Sequence, residues 1–448
     1  MNISKAFNAI FPLFDFLYIL QLEEYYTRFY LKTSSRKLFH RNFQKHDTLR
    51  VTGRIQTTGS VAFLFWIFSL IYFYLFTGPS TLILIFFLVV TTLALPYWIA
   101  LANIILAPMY EYFKRSIQRK AMRHFKDMYS DSIVIAIAGS YGKTTTKYFL
   151  TQLLATQFKV IATPGNINTP TGIAQWVLKL TTHYDIVIVE MDAYEQGEIA
   201  RSAKITPPNV AIITSIGDQH LMRFKLQQNV ANAIYEVVTS LKSGGKYCTS
   251  KQAQDLLKKY HINPKNSEKI ELAALPKKTN IESESGLTCL QIAISVAHTL
   301  GVRADFTIDA VKKLETPDRR QKISEREGYT VIDDSYNISP TTAIAALKQA
   351  QYEKKRLKKD KLVVITGGIP ELGDENKHAN TEYGMMLSQY ADKVILLSTI
   401  LSQEISQKLS VPYVSAKSMN EAWEYILKGD NPKDTLVLMQ PELTDVYY

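Results

Sequence analysis

Cysteine is almost absent from this chain of 448 residues, which contains only Cys248 and Cys289. Two cysteines cannot form a disulfide framework or a four-cysteine zinc site, so neither device explains how the chain folds. Both residues are expected to be ordinary buried thiols. Apolar residues make up 46% of the chain and charged residues 21%, a composition that supports packed cores and excludes wholesale disorder.

Charge is missing from one long stretch, since no Asp, Glu, Lys or Arg occurs between Ile55 and Tyr110. A neutral apolar stretch of this length is typical of membrane-spanning helices. The turn signal Gly78-Pro79 divides it into two arms. We therefore predict two transmembrane helices, at about residues 58–77 and 81–107. A buried hairpin of a soluble protein is the alternative.

Basic residues flank both ends of this stretch, whereas the turn between the arms has no charge. By the positive-inside rule, both ends face the cytoplasm and the protein is a multi-pass protein of the cell (inner or plasma) membrane. Residues 1–127, the predicted membrane anchor, contain 15 of the 52 Lys and Arg but only 6 of the 41 Asp and Glu. Because the basic excess lies in the anchor and not on the folded body, no nucleic-acid partner is expected.

The apolar segment 6–22 precedes these arms and contains Pro12 and Asp15. A short stretch with a carboxylate favours an interfacial helix over a third membrane span.

From residue 128 onwards, short β-branched runs alternate with amphipathic stretches, which predicts an α/β fold with mainly parallel sheets. The first series of predicted strands is 133–138, 159–162, 185–190 and 210–214, with helices at 143–156, 170–180 and 227–242. The second series of predicted strands is 329–333, 361–366, 392–397 and 434–439. Thr316-Pro317 is a plausible linker, so the predicted domains are residues 128–316 and 317–448.

The first of these strands runs into the segment GSYGKTT and then into a predicted helix. Two glycines let the backbone approach a phosphate, and the helix N-terminus directs amide groups and its dipole at the anion. Lys143 would neutralise the phosphates and Thr144 would offer a hydroxyl to Mg²⁺. The loop is shorter than the standard Walker pattern, whose first glycine position falls here on Ile137. The residues expected to contact the nucleotide are Gly139, Ser140, Tyr141, Gly142, Lys143, Thr144 and Thr145.

Further motifs downstream resemble those of the Mur ligase family, in the family's order and over about residues 132–448. The family patterns are GNxN, ExGA followed by GEI, a strand-end histidine motif, PxR, DDSYNxNP and ELG. The matching segments here are Gly165–Thr169, Glu190–Ala193 with Gly197–Ile199, Thr214–Leu221, Pro317–Arg319, Asp333–Pro340 and Glu371–Gly373. The likeness is closest to the members that add a D-alanyl-D-alanine dipeptide.

The resemblance implies a central P-loop ATP-binding domain and a Rossmann-like C-terminal domain, behind the predicted membrane hairpin. It also implies an ADP-forming ligase that uses ATP and Mg²⁺. Such an enzyme activates an acceptor carboxylate as an acyl phosphate and joins it to the amine of an amino acid or dipeptide. The expected acceptor is a cell-wall peptidoglycan precursor, and the expected state is a monomer.

The same resemblance assigns roles to individual residues. Lys143, Glu190, His220 and Arg319 would be catalytic. Thr144 and Glu190 would hold one Mg²⁺, and His220 a second. Asn166 and Asn168 would bind the acceptor, and Asp334, Tyr336 and Asn337 the nucleotide from the C-terminal domain. Taken singly, Glu190 could instead cap a helix, Asp334 could belong to a helix start, and Arg319 could be a surface linker residue.

Three departures from the family pattern stand out. Ile234 occupies the position of a carbamylated lysine that usually ligates the second Mg²⁺, so that site lacks a ligand or uses another group. Cys289 lies near the place where a helix, here 287–300, usually brings an asparagine to the adenine. The family's UDP-sugar-binding N-terminal domain has no counterpart, and the hairpin stands in its place. This suggests a lipid-linked acceptor that the anchor keeps at high local concentration.

Two alternatives remain. A catalytically impaired, membrane-tethered scaffold would account for Ile234. A membrane P-loop tyrosine kinase would account for the membrane spans, the phosphate loop and the terminal Tyr447 and Tyr448, but it gives no role to the GNxN and DDSYN segments.

Overall fold

The structure is a computed structural model. It describes residues 11–39, 49–78, 81–218, 221–262, 267–276, 279, 281, 283–314, 322–335, 338–370, 372, 375–397 and 400–441. The chain divides into two compact units, with the boundary between Ser116 and Ile117 inside one long helix.

The described part of the first unit is helical, and its core forms around a short apolar helix. The helices are α1 (Leu13–Leu22), α2 (Thr27–Phe39), α3 (Gly53–Thr77), α4 (Thr81–Leu93) and α5 (Leu95–Tyr129), the last continuing into the second unit. Phe16 and Ile19 of α1 are buried together with residues of α3 and α5. A Cβ on Gly59 of α3 would lie 2.8 Å from Leu17 Cδ1, so the glycine permits this close approach. The described part of segment 6–22 is therefore a packed helix of this unit.

The predicted second span, residues 81–107, is not one continuous helix. Its helices α4 and α5 meet at Ala94 with a bend of 55°. Pro96 accounts for the break, because it has no N–H to donate to the preceding turn and disfavours helical geometry at Leu95. By length and composition, α3 could cross a bilayer alone, and α4 and α5 meet the same criterion as a bent pair.

A half-buried arginine connects three segments of this unit. The Arg54 guanidinium lies 3.7 Å from the ring centre of Tyr25 and 4.9 Å from that of Tyr110. It donates to Asn103 Oδ1 at 3.1 Å, and Asn103 Nδ2 donates to the backbone oxygen of Tyr25 at 2.9 Å. The aromatic faces and the amide stabilise the cation at the base of α3.

The described part of the second unit contains two sheets of six strands. The first sheet is parallel, in the order β2-β3-β1-β4-β5-β6. Its strands are β1 (Ile133–Ala138), β2 (Val160–Ala162), β3 (Ile186–Glu190), β4 (Val210–Ile213), β5 (Lys246–Thr249) and β6 (Glu268–Lys269). Its helices are α6 (Lys143–Leu154), α7 (Pro170–Val177), α8 (Glu198–Ile205), α9 (Leu221–Phe224), α10 (Gln227–Thr239), α11 (Lys251–Lys259), α12 (Glu284–Thr299) and α13 (Ala304–Val311).

Both faces of this sheet are covered, which explains why its strands read as continuous apolar runs. Ile135 and Ile137 of β1 face a cluster built with α6 and α12. Val134 and Ala136 face the opposite cluster, built with α7, α8, α10 and the end of α5. With no polar face available, polar side chains collect where the strands end.

The second sheet has the order β11-β10-β9-β12-β8-β7 and is parallel except for the β7–β8 pair. Its strands are β7 (Lys322–Arg326), β8 (Tyr329–Asp333), β9 (Lys361–Thr366), β10 (Lys393–Leu397), β11 (Tyr413–Ala416) and β12 (Thr435–Gln440). Its helices are α14 (Pro340–Arg356), α15 (Asn376–Tyr390), α16 (Ile400–Ser406) and α17 (Met419–Gly429). The prediction of an α/β fold with two strand series is confirmed.

One buried carboxylate fixes the start of two strands in this second sheet. Asp430, directly after α17, forms ion pairs with Lys361 of β9 and Lys393 of β10, the latter at 2.8 Å. Its side chain is fully buried. Burial alone would raise the pKa of Asp430, but hydrogen bonds from the two lysines outweigh it and lower the pKa below its ordinary value.

The Asp430→Asn variant is expected to lose about 1–3 kcal/mol of unfolding free energy, because the hydrogen bonds to a charged acceptor are weakened. The lowered folded-state pKa makes this contribution complete above about pH 4, the ordinary range of the group, and lost as pH falls through the folded-state value. Urea unfolding of the full chain across the acid range measures both effects. Asp309→Asn, which removes a surface pair with Lys312, should change stability by less than about 0.5 kcal/mol. Equal stability of the wild type and Asp430→Asn would contradict the assignment.

Candidate active site

The loop between β1 and α6 has the backbone geometry that its two glycines permit. Gly139 has φ +145° and Gly142 φ +81°, both in the region that side chains disfavour. A Cβ on Gly142 would lie 2.8 Å from Cys289 Sγ, and one on Gly139 would overlap Thr214 Oγ1. Space and conformation therefore both require glycine at these two positions.

The segment after β4 is hydrogen-bonded to this loop. Ser215 accepts from the Ser140 N–H through its carbonyl at 3.0 Å and from the Tyr141 N–H through its Oγ at 2.7 Å. In return, Ser140 Oγ accepts from the N–H of Gly217 at 2.9 Å. Because β1 and β4 are neighbours in a parallel sheet, both segments lie at its carboxyl edge, the usual place for ligands in such folds. The first turn of α6 begins there and offers its amide groups to an anion.

Lys143, the first residue of α6, is buried and held by three acceptors. Its Nζ forms an ion pair with Asp192 Oδ2 at 2.9 Å and donates to the carbonyl oxygens of Gly139 and, at 3.4 Å, Ser140. Asp192 follows the end of β3. The lysine thus lies over the loop, where a phosphate-binding lysine is expected.

Glu190, the last residue of β3, is the centre of the site. Thr144 Oγ1 donates to Glu190 Oε2 at 3.0 Å, and Lys147 Nζ lies 2.9 Å from the same oxygen. Asn168 Nδ2 is 3.4 Å from Glu190 Oε1. Hydroxyl and carboxylate oxygens suit Mg²⁺, which takes one or two protein ligands and completes its shell with water and phosphate oxygens. Thr144 and Glu190 fit one such ion. The carboxylate does not cap a helix through the contacts described for it.

The segment 165–169 lies beside Glu190. Lys147 Nζ donates to the carbonyl of Gly165 at 2.8 Å, and the N–H of Asp192 donates to the carbonyl of Asn168 at 3.0 Å. Thr169 caps α7 through the N–H of Gly172. Asn166 is exposed on the same segment, so the structure brings Asn168 to the carboxylate and leaves Asn166 facing solvent.

Three of the other predicted site residues lie in the described part of the chain, and four lie outside it. Tyr141 and Thr145 belong to the loop and α6, whereas Asp334 follows β8 in the second sheet, where its N–H donates to the carbonyl of Met439 at 2.9 Å. The start of α14 is capped by Ser339 with Thr342, and not by Asp334. The remaining predicted residues lie outside the described part of the chain: His220, Arg319, Tyr336 and Asn337.

Ile234 lies on α10 inside the hydrophobic core, with 6% of its surface exposed. Two residues on, Glu236 accepts from the N–H groups of Gly197 at 2.6 Å and Ala200 at 3.1 Å, which fixes the start of α8. Within the ranges that the structure describes, no cluster of three His, Cys, Asp or Glu suited to a metal occurs. This part of the chain therefore supplies no substitute cluster for the second metal.

The prediction that both cysteines are buried is confirmed. Burial raises the pKa of the Cys248 thiol to about 12. Cys289, on α12, lies against the phosphate loop, with Sγ 3.6 Å from the carbonyl of Gly142.

Two contacts of the site were not predicted from sequence, those of Lys147 and Asp192. Lys147 follows Lys143 by four residues, which puts both ammonium groups on one face of α6. Asp192 follows Glu190 by two residues at a strand end. The spacing of the two lysines and of the two carboxylates was the sequence signal that could have predicted these contacts.

The fold and the loop define a P-loop α/β protein with a second α/β domain. Family models match two parts of the chain: the Mur ligase middle domain at residues 137–293 and the Mur ligase glutamate ligase domain at residues 318–441. The chain belongs to the Mur ligase family.

Similar proteins agree with this placement. A UDP-N-acetylmuramoyl-tripeptide–D-alanyl-D-alanine ligase of Bacillus subtilis is 28% identical over 287 residues, covering 57% of this chain and 60% of the relative. The Escherichia coli protein of the same name is 25% identical over 280 residues, covering 56% and 61%. The chain thus spans about three fifths of the length of these relatives.

Two solved structures share the fold. MurF from Acinetobacter baumannii has a TM-score of 0.64 at 20% identity, covering 74% of this chain and 78% of that one. MurF ligase from Thermotoga maritima, in complex with ADP, has a TM-score of 0.63 at 23% identity, covering 73% and 80%. The two sheets described above therefore have the Mur ligase arrangement.

The burial of Ile234 predicts what happens when the family's lysine is restored at this position. Ile234→Lys places an ammonium group in an apolar core without a described partner, so it should cost roughly 3–5 kcal/mol of unfolding free energy and create no metal site. Denaturant unfolding with and without Mg²⁺ measures this. Ile308→Lys, at an isoleucine that is 47% exposed, is the matched control and should be nearly neutral. A stable Ile234→Lys protein with an added Mg²⁺ site would show that this position faces the metal.

Proposed function

We propose that this protein is a membrane-anchored, ATP-dependent amide ligase of peptidoglycan precursor synthesis. Its contacts around Glu190 are the observation that carries the proposal. Thr144 and Glu190 lie together where they could hold Mg²⁺, and Lys143 lies over the loop. Asn168 of the segment 165–169, which we call the acceptor segment, contacts the same carboxylate. Ligation of this kind needs an acceptor carboxylate held beside the terminal phosphate of ATP and cations that neutralise the charge.

The position of each residue in the site indicates its role in the proposed reaction. The first turn of α6 and Lys143 would bind phosphate oxygens. Thr144 and Glu190 would hold a Mg²⁺ ion, which would supply positive charge to neutralise the phosphates. Lys147 holds Glu190 through its 2.9 Å ion pair and the acceptor segment through Gly165. The acceptor carboxylate would then attack the terminal phosphorus of ATP and release ADP, which leaves an acyl phosphate. The amine of an amino acid or dipeptide would attack the acyl carbon, form the amide and release inorganic phosphate. D-alanyl-D-alanine is the amine named for the relatives. His220, Arg319, Asp334, Tyr336 and Asn337 stay assigned by resemblance alone.

The anchor is proposed to lie in the cell membrane. Residues 128–316 and 317–448 would then be two catalytic domains in the cytoplasm, and the protein would be a monomer. The 25 residues of α3 give a length of about 37 Å, more than the roughly 30 Å of a bilayer core. Large apolar side chains of this unit face outward, including Phe68, Leu75 and Leu82 at 62%, 76% and 81% exposure. Such a surface suits lipid tails. Release of the full-length protein by alkaline carbonate would contradict the anchor.

A lipid-linked acceptor follows from the anchor, because both molecules would then share one surface and meet at high effective concentration. The scaffold and kinase alternatives are not favoured. The relatives are ligases by name, and Lys143, Thr144 and Glu190 lie together at the phosphate loop.

The Lys143→Ala variant is expected to lower ATP turnover by about a hundredfold or more, because it removes the cation that stabilises the transferred phosphate. ADP release by the purified full-length protein measures turnover, and the unfolding midpoint shows whether the variant is folded. Lys179→Ala, at an exposed lysine of the same unit, should leave turnover unchanged. Normal turnover in folded Lys143→Ala would refute the phosphate-loop assignment.

A further inference from the structure

The ammonium group of Lys143 has no donor left for a nucleotide. A lysine has three N–H donors. They are taken by Asp192 Oδ2 at 2.9 Å and by the carbonyls of Gly139 and Ser140. The two carbonyls belong to the loop itself, so Asp192 is the anion that holds this lysine. A phosphate that reaches Lys143 must replace one of these acceptors.

Asp192 is held for this contact. Its Oδ1 accepts from the N–H of Ala193 at 3.0 Å, which leaves Oδ2 directed at the lysine. Its backbone N–H donates to Asn168. In the ExGA pattern that this segment resembles, the position of Asp192 is a glycine. The carboxylate is therefore an addition of this chain to the pattern and not a part of it.

The added carboxylate changes the charge of the site. Lys143 pairs with Asp192, and Lys147 pairs with Glu190, so two cations face two anions. All four side chains are at least 84% buried, where water screens charges weakly. With glycine at position 192, the same site would have an excess of one positive charge. Here the phosphates of a nucleotide meet a neutral site in which one carboxylate lies next to their binding position.

We propose that Asp192 is an internal competitor for the phosphate-binding lysine, which makes nucleotide binding depend strongly on Mg²⁺. Without the metal, nucleotide phosphates must either displace Asp192 from Lys143 or bind the lysine beside the charge of Asp192. Mg²⁺ neutralises the phosphates and so reduces this repulsion. The inference rests on the proposed nucleotide site, but it concerns binding and not turnover.

The test compares nucleotide affinity with and without metal. Calorimetric titration of ADP into the full-length protein would be carried out in EDTA and in excess Mg²⁺. Asp192→Asn keeps the shape of the side chain and removes its charge. It should bind metal-free ADP about tenfold more tightly than the wild type, since a nearby repulsive charge is gone. Mg²⁺ should then improve the affinity of the variant by a smaller factor than that of the wild type.

A matched control separates this contact from a general change in charge. Glu195→Gln removes a carboxylate three residues away, whose side chain is 50% exposed and paired with Arg201. It should leave both affinities unchanged. Asp192→Gly, which restores the residue of the family pattern, should behave like Asp192→Asn.

The outcomes are distinguishable. Unchanged or weaker metal-free binding in folded Asp192→Asn would overturn the proposal, as would an equal gain in Glu195→Gln. If neither Asp192 variant folded, so that neither showed a cooperative unfolding transition, the residue would be needed for folding, and the proposal would also be wrong. If the wild type bound no nucleotide under either condition, the proposed function would fail first.

Discussion

The site depends on one constraint, the burial of both faces of a parallel sheet. Because helices cover β1, β3 and β4 on each side, their polar neighbours are confined to the carboxyl edge. There Lys143 and Lys147, one turn apart on α6, meet Asp192 and Glu190, two residues apart after β3. These paired charges fix the first turn of the helix against the strand end. Buried charges of this kind are stable only when paired, so the phosphate loop, Thr144 with Glu190, and the segment 165–169 are positioned together.

The helical first unit bears on where the protein lies in the cell. Its inner side is well packed, through α1 and the stacked guanidinium of Arg54. Its outer side is apolar along α3 and α4. On the proposed placement at the bilayer, the ligase would meet precursors that are attached to lipid.

Sequence patterns predicted the regular parts of the fold well, because strands buried on both faces leave uninterrupted apolar runs. The strand 133–138 and the strand 361–366 have the predicted bounds. Short or edge strands such as β6 and β7 were not predicted, since two to five residues with a polar face give little periodicity. The break at Ala94 was also missed, although Pro96 was visible inside the expected span.

The site was predicted in part, for a physical reason. Motifs located Lys143, Thr144 and Glu190, which the structure brings together. Asp192 and Lys147 carry no motif of their own, and their pairing appears only when the helix is placed against the strand. The roles of His220, Arg319, Tyr336 and Asn337 stay predictions, because these residues lie outside the described part of the chain.

The most direct test of the ligase claim is ADP release by the purified full-length protein, supplied with Mg-ATP, a lipid-linked or UDP-linked muramoyl-peptide precursor, and D-alanyl-D-alanine or a single amino acid. The account predicts release only when an acceptor and an amine are both present, and faster release with the lipid-linked acceptor. Release that needs neither, or no release with any pair despite measurable ATP binding, would contradict it. Equal rates with both acceptors would retain the ligase and refute the role proposed for the anchor.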